Sequence, residues 1–146
     1  MPTRTARTAW NGGLNDGSGQ VELSSSKVGT YDVSFPKRAA EDADGTTSPY
    51  EINAAAHSAC YAMQFSAILG EAGGTVEALD VKADVSLGPD SAGGFKLTGI
   101  VLTVSGEVSG IDEAAFLKAA DDAKATCPVS KALTGVDITL HATLEQ

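Results

Sequence analysis

The amino-acid sequence predicts an α+β domain on mostly antiparallel sheet, and three patterns carry that prediction. Short alternating segments fill the first 35 residues, two helical stretches flank a long hairpin, and a last alternating segment closes the chain. The expected order is β-β-β-α-β-β-α-β, with a long buried central helix. With 146 residues, 42 % hydrophobic and 20 % charged, the chain is expected to form a single domain over 1–146.

Arg4 to Trp10 alternates loosely, Gln20 to Leu23 is short, and Tyr31, Val33 and Phe35 alternate with Asp32 and Ser34 until Pro36 stops the run. Asn11-Gly12-Gly13, Asp16-Gly17-Ser18-Gly19 and Ser24-Ser25-Ser26 supply turn chemistry between them, so an antiparallel N-terminal sheet follows. Residues 37–47 are charged and bear Gly and Thr; they read as a polar loop that contains Arg38.

Ser48-Pro49-Tyr50-Glu51 matches a helix start: Ser48 as N-cap, Pro49 at the first helical position, and Glu51 placed to close a capping box. The helix should run to about Glu71, with Gly70 or Gly73-Gly74 as its stop. Ile52, Ala56, Ala59, Cys60, Met63 and Ala67 form one apolar stripe, which Tyr61, Phe65, Ile68 and Leu69 widen. A helix apolar over most of its circumference is buried, and its small residues let another backbone approach closely.

Leu79, Val81, Ala83, Val85 and Leu87 alternate with Asp80, Lys82, Asp84 and Ser86, a half-buried strand that reverses through Gly88-Pro89-Asp90 and Gly93-Gly94. The return strand changes parity at Gly99, read as a bulge, so that Ile100, Leu102, Val104 and Val108 face the core. A second helix follows, with Asp112 as N-cap, Ile111 and Phe116 as a hydrophobic staple, and a stripe of Phe116, Ala119, Ala120, Ala123 and Cys127. Pro128 takes Cys127 out of the helical region and opens a short helix to Leu133, after which Val136 to Leu144 alternates as the final strand.

The chain has 23 Ala and 16 Gly against 8 aromatic residues. Small side chains bury little area each, so a partner subunit is expected to complete the core, with a homodimer as the working assumption. A net charge of -9 opposes attraction to nucleic acid or anionic membrane surfaces. No apolar run approaches the roughly 18 residues of a membrane span, and Met1 to Trp10 lacks a signal-peptide core, so a cytoplasmic location is expected.

Walker, dinucleotide, zinc and G-x-S-x-G signatures are absent, so neither a cofactor nor a metal is expected. Two cysteines, Cys60 and Cys127, are too few for a secreted disulfide scaffold. They read either as buried small hydrophobes or as reactive thiols. Cys60 lies about three turns into its helix, beyond reach of the macrodipole, and needs a cation to become a thiolate. Arg38 is the nearest candidate in sequence, with a solvated surface arginine as the alternative. Cys127 sits where N–H groups of the Pro128 helix point at it, so local physics ranks it the more acidic thiol. His57, three residues before Cys60, is either a hydrogen-bonded or exposed helix histidine or an aid to a thiol; His141 reads as a solvated strand residue.

Ser48-Pro49-Tyr50-Glu51 leading to Ala54-Ala55-Ala56-His57-Ser58-Ala59-Cys60, and then Cys127-Pro128-Val129-Ser130-Lys131-Ala132-Leu133, resemble the two cysteine motifs of the OsmC/Ohr family of osmotically inducible and organic-hydroperoxide-resistance proteins. Trp10-Asn11-Gly12, Gly17-Ser18-Gly19 and Arg38 before Gly45-Thr46 extend the resemblance over nearly the whole chain, and His57 places it closer to the OsmC branch. The resemblance implies an intertwined homodimer whose two active sites each draw on both chains. It implies thiol-dependent reduction of peroxides, organic hydroperoxides before hydrogen peroxide, without metal or prosthetic group. On that pattern Cys60 is peroxidatic, Cys127 resolves to a disulfide, Arg38 stabilises the Cys60 thiolate, and an external dithiol, such as a lipoylated or thioredoxin-like protein, regenerates the thiols.

Many members carry a glutamate ten residues before the peroxidatic cysteine; here that place is Tyr50, with Glu51 next to it. Tyr50 can offer a phenol to Arg38, and Glu51 is divided between capping and catalysis. Met63, Tyr61 and Phe65 are candidates for an apolar pocket or for core packing. A noncatalytic dimer and a thiol enzyme acting on a non-peroxide substrate are the alternative functions.

Overall fold

The computed structural model describes residues 1–145, which form two compact units divided at Ile52/Asn53. In the first, strands β1 (Arg7–Asn11), β2 (Ser18–Glu22) and β3 (Thr30–Val33) make an antiparallel sheet in that order, with Thr8 opposite Val21 and Val21 opposite Tyr31. The Trp10 indole N–H donates to the Gly12 carbonyl at 3.0 Å, pinning the first turn.

Pro36 does more than end the third strand. Arg38 lies in a short helix, α1 (Phe35–Ala39), and not in the polar loop expected at 37–47. The Ser34 hydroxyl caps it by accepting the Lys37 N–H, and Pro36 sits in its first turn, where a missing N–H costs nothing. Lys37 then pairs with Asp44 at 2.7 Å across the loop that follows.

Helix α2 (Pro49–Glu71) begins as the sequence predicts: the Glu51 N–H donates to the Ser48 hydroxyl at 3.2 Å. It stops at Gly73, which has φ +93°, while the Gly74 N–H reaches back to the Leu69 carbonyl at 2.9 Å. That bond closes a Schellman turn, and the left-handed backbone favours glycine.

The second sheet joins β4 (Thr75–Pro89), β5 (Phe95–Ser109) and β6 (Ile138–Leu144) in the order β4-β5-β6. β4 and β5 are antiparallel, whereas β6 runs parallel to β5, because the chain crosses over through α3 (Glu113–Thr126) and α4 (Pro128–Ala132) before returning. The predicted bulge is one residue away from Gly99: Ser86 pairs with Gly99 and Leu87 with Leu97, leaving Thr98 as the extra residue. Glu77 makes a second bulge on β4 that the alternation did not reveal.

Asp112 caps α3 by accepting the Ala115 N–H at 2.8 Å, and Phe116, Ala119, Ala120 and Ala123 form its buried stripe as expected. For α2 the stripe is different. His57, Tyr61, Phe65 and Leu69 are buried, while Ala56, Ala59, Met63 and Ala67 are exposed, Met63 at 70 %. The bulky i, i+4 set has more area to remove from water than the alanine-rich set, and it fixes the rotation of the helix.

Phe65 meets Phe116 with ring centroids 5.2 Å apart, and the Tyr61 hydroxyl donates to the Ala120 carbonyl at 2.9 Å, so α2 and α3 pack together over Ile100, Leu102 and Val104. Gly106 permits this closeness, since a Cβ there would meet the Phe116 ring at 2.9 Å and Leu79 at 3.0 Å. His141 is exposed on β6. No helix is long and apolar enough to cross a membrane among the described residues.

Candidate active site

Cys60 and Cys127 are 67 residues apart in sequence, and the second unit brings their sulfurs to 3.0 Å. Cys60 lies three turns into α2, half-buried; Cys127 is fully buried where α3 ends and α4 begins. Cys127 adopts φ -59°, ψ 124°, the extended conformation that a following proline imposes, and this turns its side chain out of the α3 helical path. Both are free thiols, about 1 Å further apart than a disulfide's bonded sulfurs.

The two thiols are not equivalent. Burial pushes the Cys60 thiol up, as does the Cys127 thiol beside it, and only the Val129 N–H works in the other direction. Burial also opposes the Cys127 anion, but the Ser130 N–H, the Cys60 thiol, the Ser130 hydroxyl and the Val129 N–H together outweigh it and hold Cys127 below its ordinary value. The second unit by itself therefore ranks Cys127 as the more acidic thiol, for the reason its place before the Pro128 helix predicts.

His57 is fully buried, and its Nε2 lies 2.7 Å from the Ser130 hydroxyl. Burial disfavours the imidazolium and lowers its pKa. His57 is thus a hydrogen-bonded helix histidine whose partner neighbours Cys127. Ser130 was missed as a site residue; its signal was its place three residues after Cys127, and it is buried on the first turn of a helix too short to show periodicity. Tyr61 and Phe65 are wholly core, and burial, followed by the Asp121 and Cys127 charges, raises the Tyr61 phenol above its ordinary value.

In the first unit Arg38 Nε donates to the Tyr50 hydroxyl, and its guanidinium lies 5.3 Å from the Tyr50 ring centroid and 5.9 Å from that of Phe35. Two aromatic faces and a phenol orient it. Among the described residues, no ion pair includes Arg38. Glu51 turns elsewhere, accepting the Thr47 hydroxyl at 2.6 Å, so its carboxylate completes a cap with Thr47 in place of the Ser48 N–H that a full capping box requires. Among the described residues no three His, Cys, Asp or Glu side chains converge as metal ligands.

A long helix and a helix junction presenting two adjacent thiols, over a mixed sheet, define a class. The family model described as OsmC-like protein matches residues 41–141, and the chain belongs to that family. It is 39 % identical to peroxiredoxin OsmC of Escherichia coli (strain K12) over 136 residues, 93 % of this chain and 92 % of the relative, a similarity that supports peroxidase activity. Among solved structures, an organic hydroperoxide resistance protein from Elizabethkingia anophelis matches at TM-score 0.80 and 25 % identity, over 99 % of this chain and 98 % of that one. The organic hydroperoxide resistance protein OhrB of Bacillus subtilis matches at TM-score 0.74 and 29 % identity, over 95 % and 98 %.

Proposed function

We propose that the protein is a homodimeric, cytoplasmic thiol peroxidase that reduces organic hydroperoxides in preference to hydrogen peroxide. The observation that carries the reading is the 3.0 Å separation of two free thiols on separate elements. The Cys60 thiolate attacks one peroxide oxygen, the O–O bond breaks, and the alkoxide takes a proton and leaves as alcohol, with sulfur oxidised to the sulfenic acid. Cys127 then forms the S–S bond as the S–O bond breaks and hydroxide leaves as water. An external dithiol, lipoylated or thioredoxin-like, returns both thiols.

Arg38 enters as the cation for the Cys60 thiolate on the family pattern, and its aromatic clamp and Tyr50 hydrogen bond support a fixed guanidinium. The dimer is supported by Met63, 70 % exposed on α2, and by the first unit, in which no hydrophobic side chain is buried among the described residues. A three-stranded sheet needs a covered apolar face for stability.

The test is a thiol count before and after tert-butyl or cumene hydroperoxide, on a sample of known particle mass. Loss of both thiols per chain, in two-chain particles that do not aggregate and faster than with hydrogen peroxide, is the expected result. Inertness to every peroxide returns the cysteines to packing.

Glu51→Gln is expected to lower stability by no more than about 1 kcal/mol, the scale of capping contacts, because its carboxylate serves the Thr47 hydroxyl. Denaturant melts run beside peroxide turnover check this. An unchanged melt with turnover lost by orders of magnitude makes Glu51 the arginine's partner instead.

A further inference from the structure

His57, fully buried, and Ser130, 4 % exposed, are the two buried polar residues outside the thiols among the described residues, and they meet each other across 73 positions of sequence. Tyr61 and Phe65 on later turns of the same helix, and Ala120, Ala123 and Cys127, belong to one core cluster. A buried hydrogen-bonded pair can often be replaced by apolar groups of similar shape at little cost, so packing alone gives no reason for a histidine here.

The other ring nitrogen, Nδ1, is buried without a hydrogen-bond partner among the described residues, as is the side-chain oxygen of Asn53 one turn earlier on α2. A buried N–H left unpaired is rarer and costlier than an unpaired acceptor, which assigns the proton to Nε2 and leaves Nδ1 as the bare acceptor. Nε2–H therefore donates to the Ser130 oxygen, and the serine's own hydrogen is free to be donated onward. Ser130 stands in the first turn of α4, whose N-cap is Cys127.

We propose that His57 is a positioning residue for the resolving thiol: it holds the Ser130 hydroxyl as a donor toward the Cys127 sulfur, in a one-way chain from His57 Nε2–H through Ser130 Oγ–H to the Cys127 thiolate. The inference rests on the reading of Cys127 as the resolving cysteine, and it gives a role to a helix histidine that the peroxide step does not use. No net proton transfer to His57 is involved; the imidazole stays neutral, as its burial requires. The Ser130 hydroxyl favours the Cys127 anion against burial, as such a chain demands. The remaining titratable groups facing Cys127 are the Cys60 thiol and the Tyr61 phenol of α2, with Asp121 of α3 acting on Tyr61. Closure of the disulfide rises with the thiolate fraction of the attacking thiol faster than it falls with the lower nucleophilicity of a more acidic one, so the chain speeds resolution at neutral pH.

The experiment uses Cys60→Ser, in which Cys127 is the one cysteine, and follows thiolate absorbance near 240 nm through a pH titration. Ser130→Ala and His57→Leu are each expected to raise the midpoint by about one unit, a tenfold loss of thiolate at neutral pH. Combining them shifts it no further, because both cut one chain, and Ser130→Thr restores the parent midpoint. With Cys60 present, disulfide closure after a single dose of hydroperoxide slows about threefold in each single variant, because the tenfold loss of thiolate is partly offset by the greater nucleophilicity of the less acidic thiol. A parental midpoint in Ser130→Ala overturns the proposal, as does a parental midpoint in a folded His57→Leu. The titration contains no peroxide, so a chain inert to peroxides fails the thiol count and leaves this measurement to be decided by itself.

Discussion

Cys60→Ser is expected to abolish peroxide consumption, a loss of at least about 10³-fold, the scale for removing a catalytic nucleophile. Cys127→Ser is expected to keep one fast turnover and to leave a Cys60 sulfenic acid that a dimedone-type reagent traps. The experiment is sharp because two arguments rank the thiols in opposite order. Within the second unit, burial raises Cys60 while the α4 N–H groups hold Cys127 down. The proposed division of labour requires the opposite order of attack, and access favours it: Cys60 is half-buried, whereas Cys127 is at 0 % exposure, behind the helix junction. A peroxide must reach the sulfur that attacks it; the second thiol need only reach its neighbour 3.0 Å away. Acidity without access suits a resolving thiol, since the condensation is intramolecular. If Cys127→Ser loses the first turnover and Cys60→Ser retains it, acidity outweighs access and the roles are reversed.

Much of this arrangement is legible in the sequence, for identifiable reasons. Proline after Cys127 sets its backbone locally, so the helix junction and its N–H groups followed from neighbours in sequence. Asp112 and Ser48 declare their helices by capping chemistry that acts over three residues. What could not be read is what depends on a distant partner. The rotation of α2 is set by Phe116 and Ala120, dozens of residues away, which take Phe65 and Tyr61 and leave Met63 outside. An alanine-rich helix has two plausible apolar faces, and periodicity alone does not choose between them. The same limit hid the His57–Ser130 bond and the parallel setting of β6, whose alternation fits either direction equally. Arg38 shows a subtler failure: α1 is a single capped turn, too short for any period, so a helix looked like a polar loop.

Arg38→Ala is expected to raise the thiol pKa of Cys60 and to slow the first turnover by roughly 10- to 100-fold, the kinetic equivalent of one charge-assisted contact. Burial and the neighbouring Cys127 both push the Cys60 thiol up, so a thiolate that reacts at neutral pH needs a compensating cation. On the proposed pairing the guanidinium keeps the reactive fraction large at neutral pH; in Arg38→Ala the rate is then expected to keep rising as pH climbs toward the raised pKa. The variant therefore recovers much of its rate in alkaline buffer, a recovery that a folding defect does not produce. Arg38→Lys recovers only part of the rate, because an ammonium lacks the planar fork and the stacking that Phe35 and Tyr50 give the guanidinium. Tyr50→Phe separates orientation from charge. It removes the hydroxyl that accepts from Arg38 Nε but keeps the ring beneath the guanidinium, so its first turnover falls between those of the parent and Arg38→Ala. Position 38 lies in α1, which contributes no buried side chain, and Tyr50→Phe keeps its ring, so melting temperatures stay close to the parent's throughout this series. An Arg38→Ala chain with an unchanged Cys60 pKa and an unchanged first turnover makes Arg38 a stacked surface arginine and leaves the Cys60 thiolate without its proposed partner.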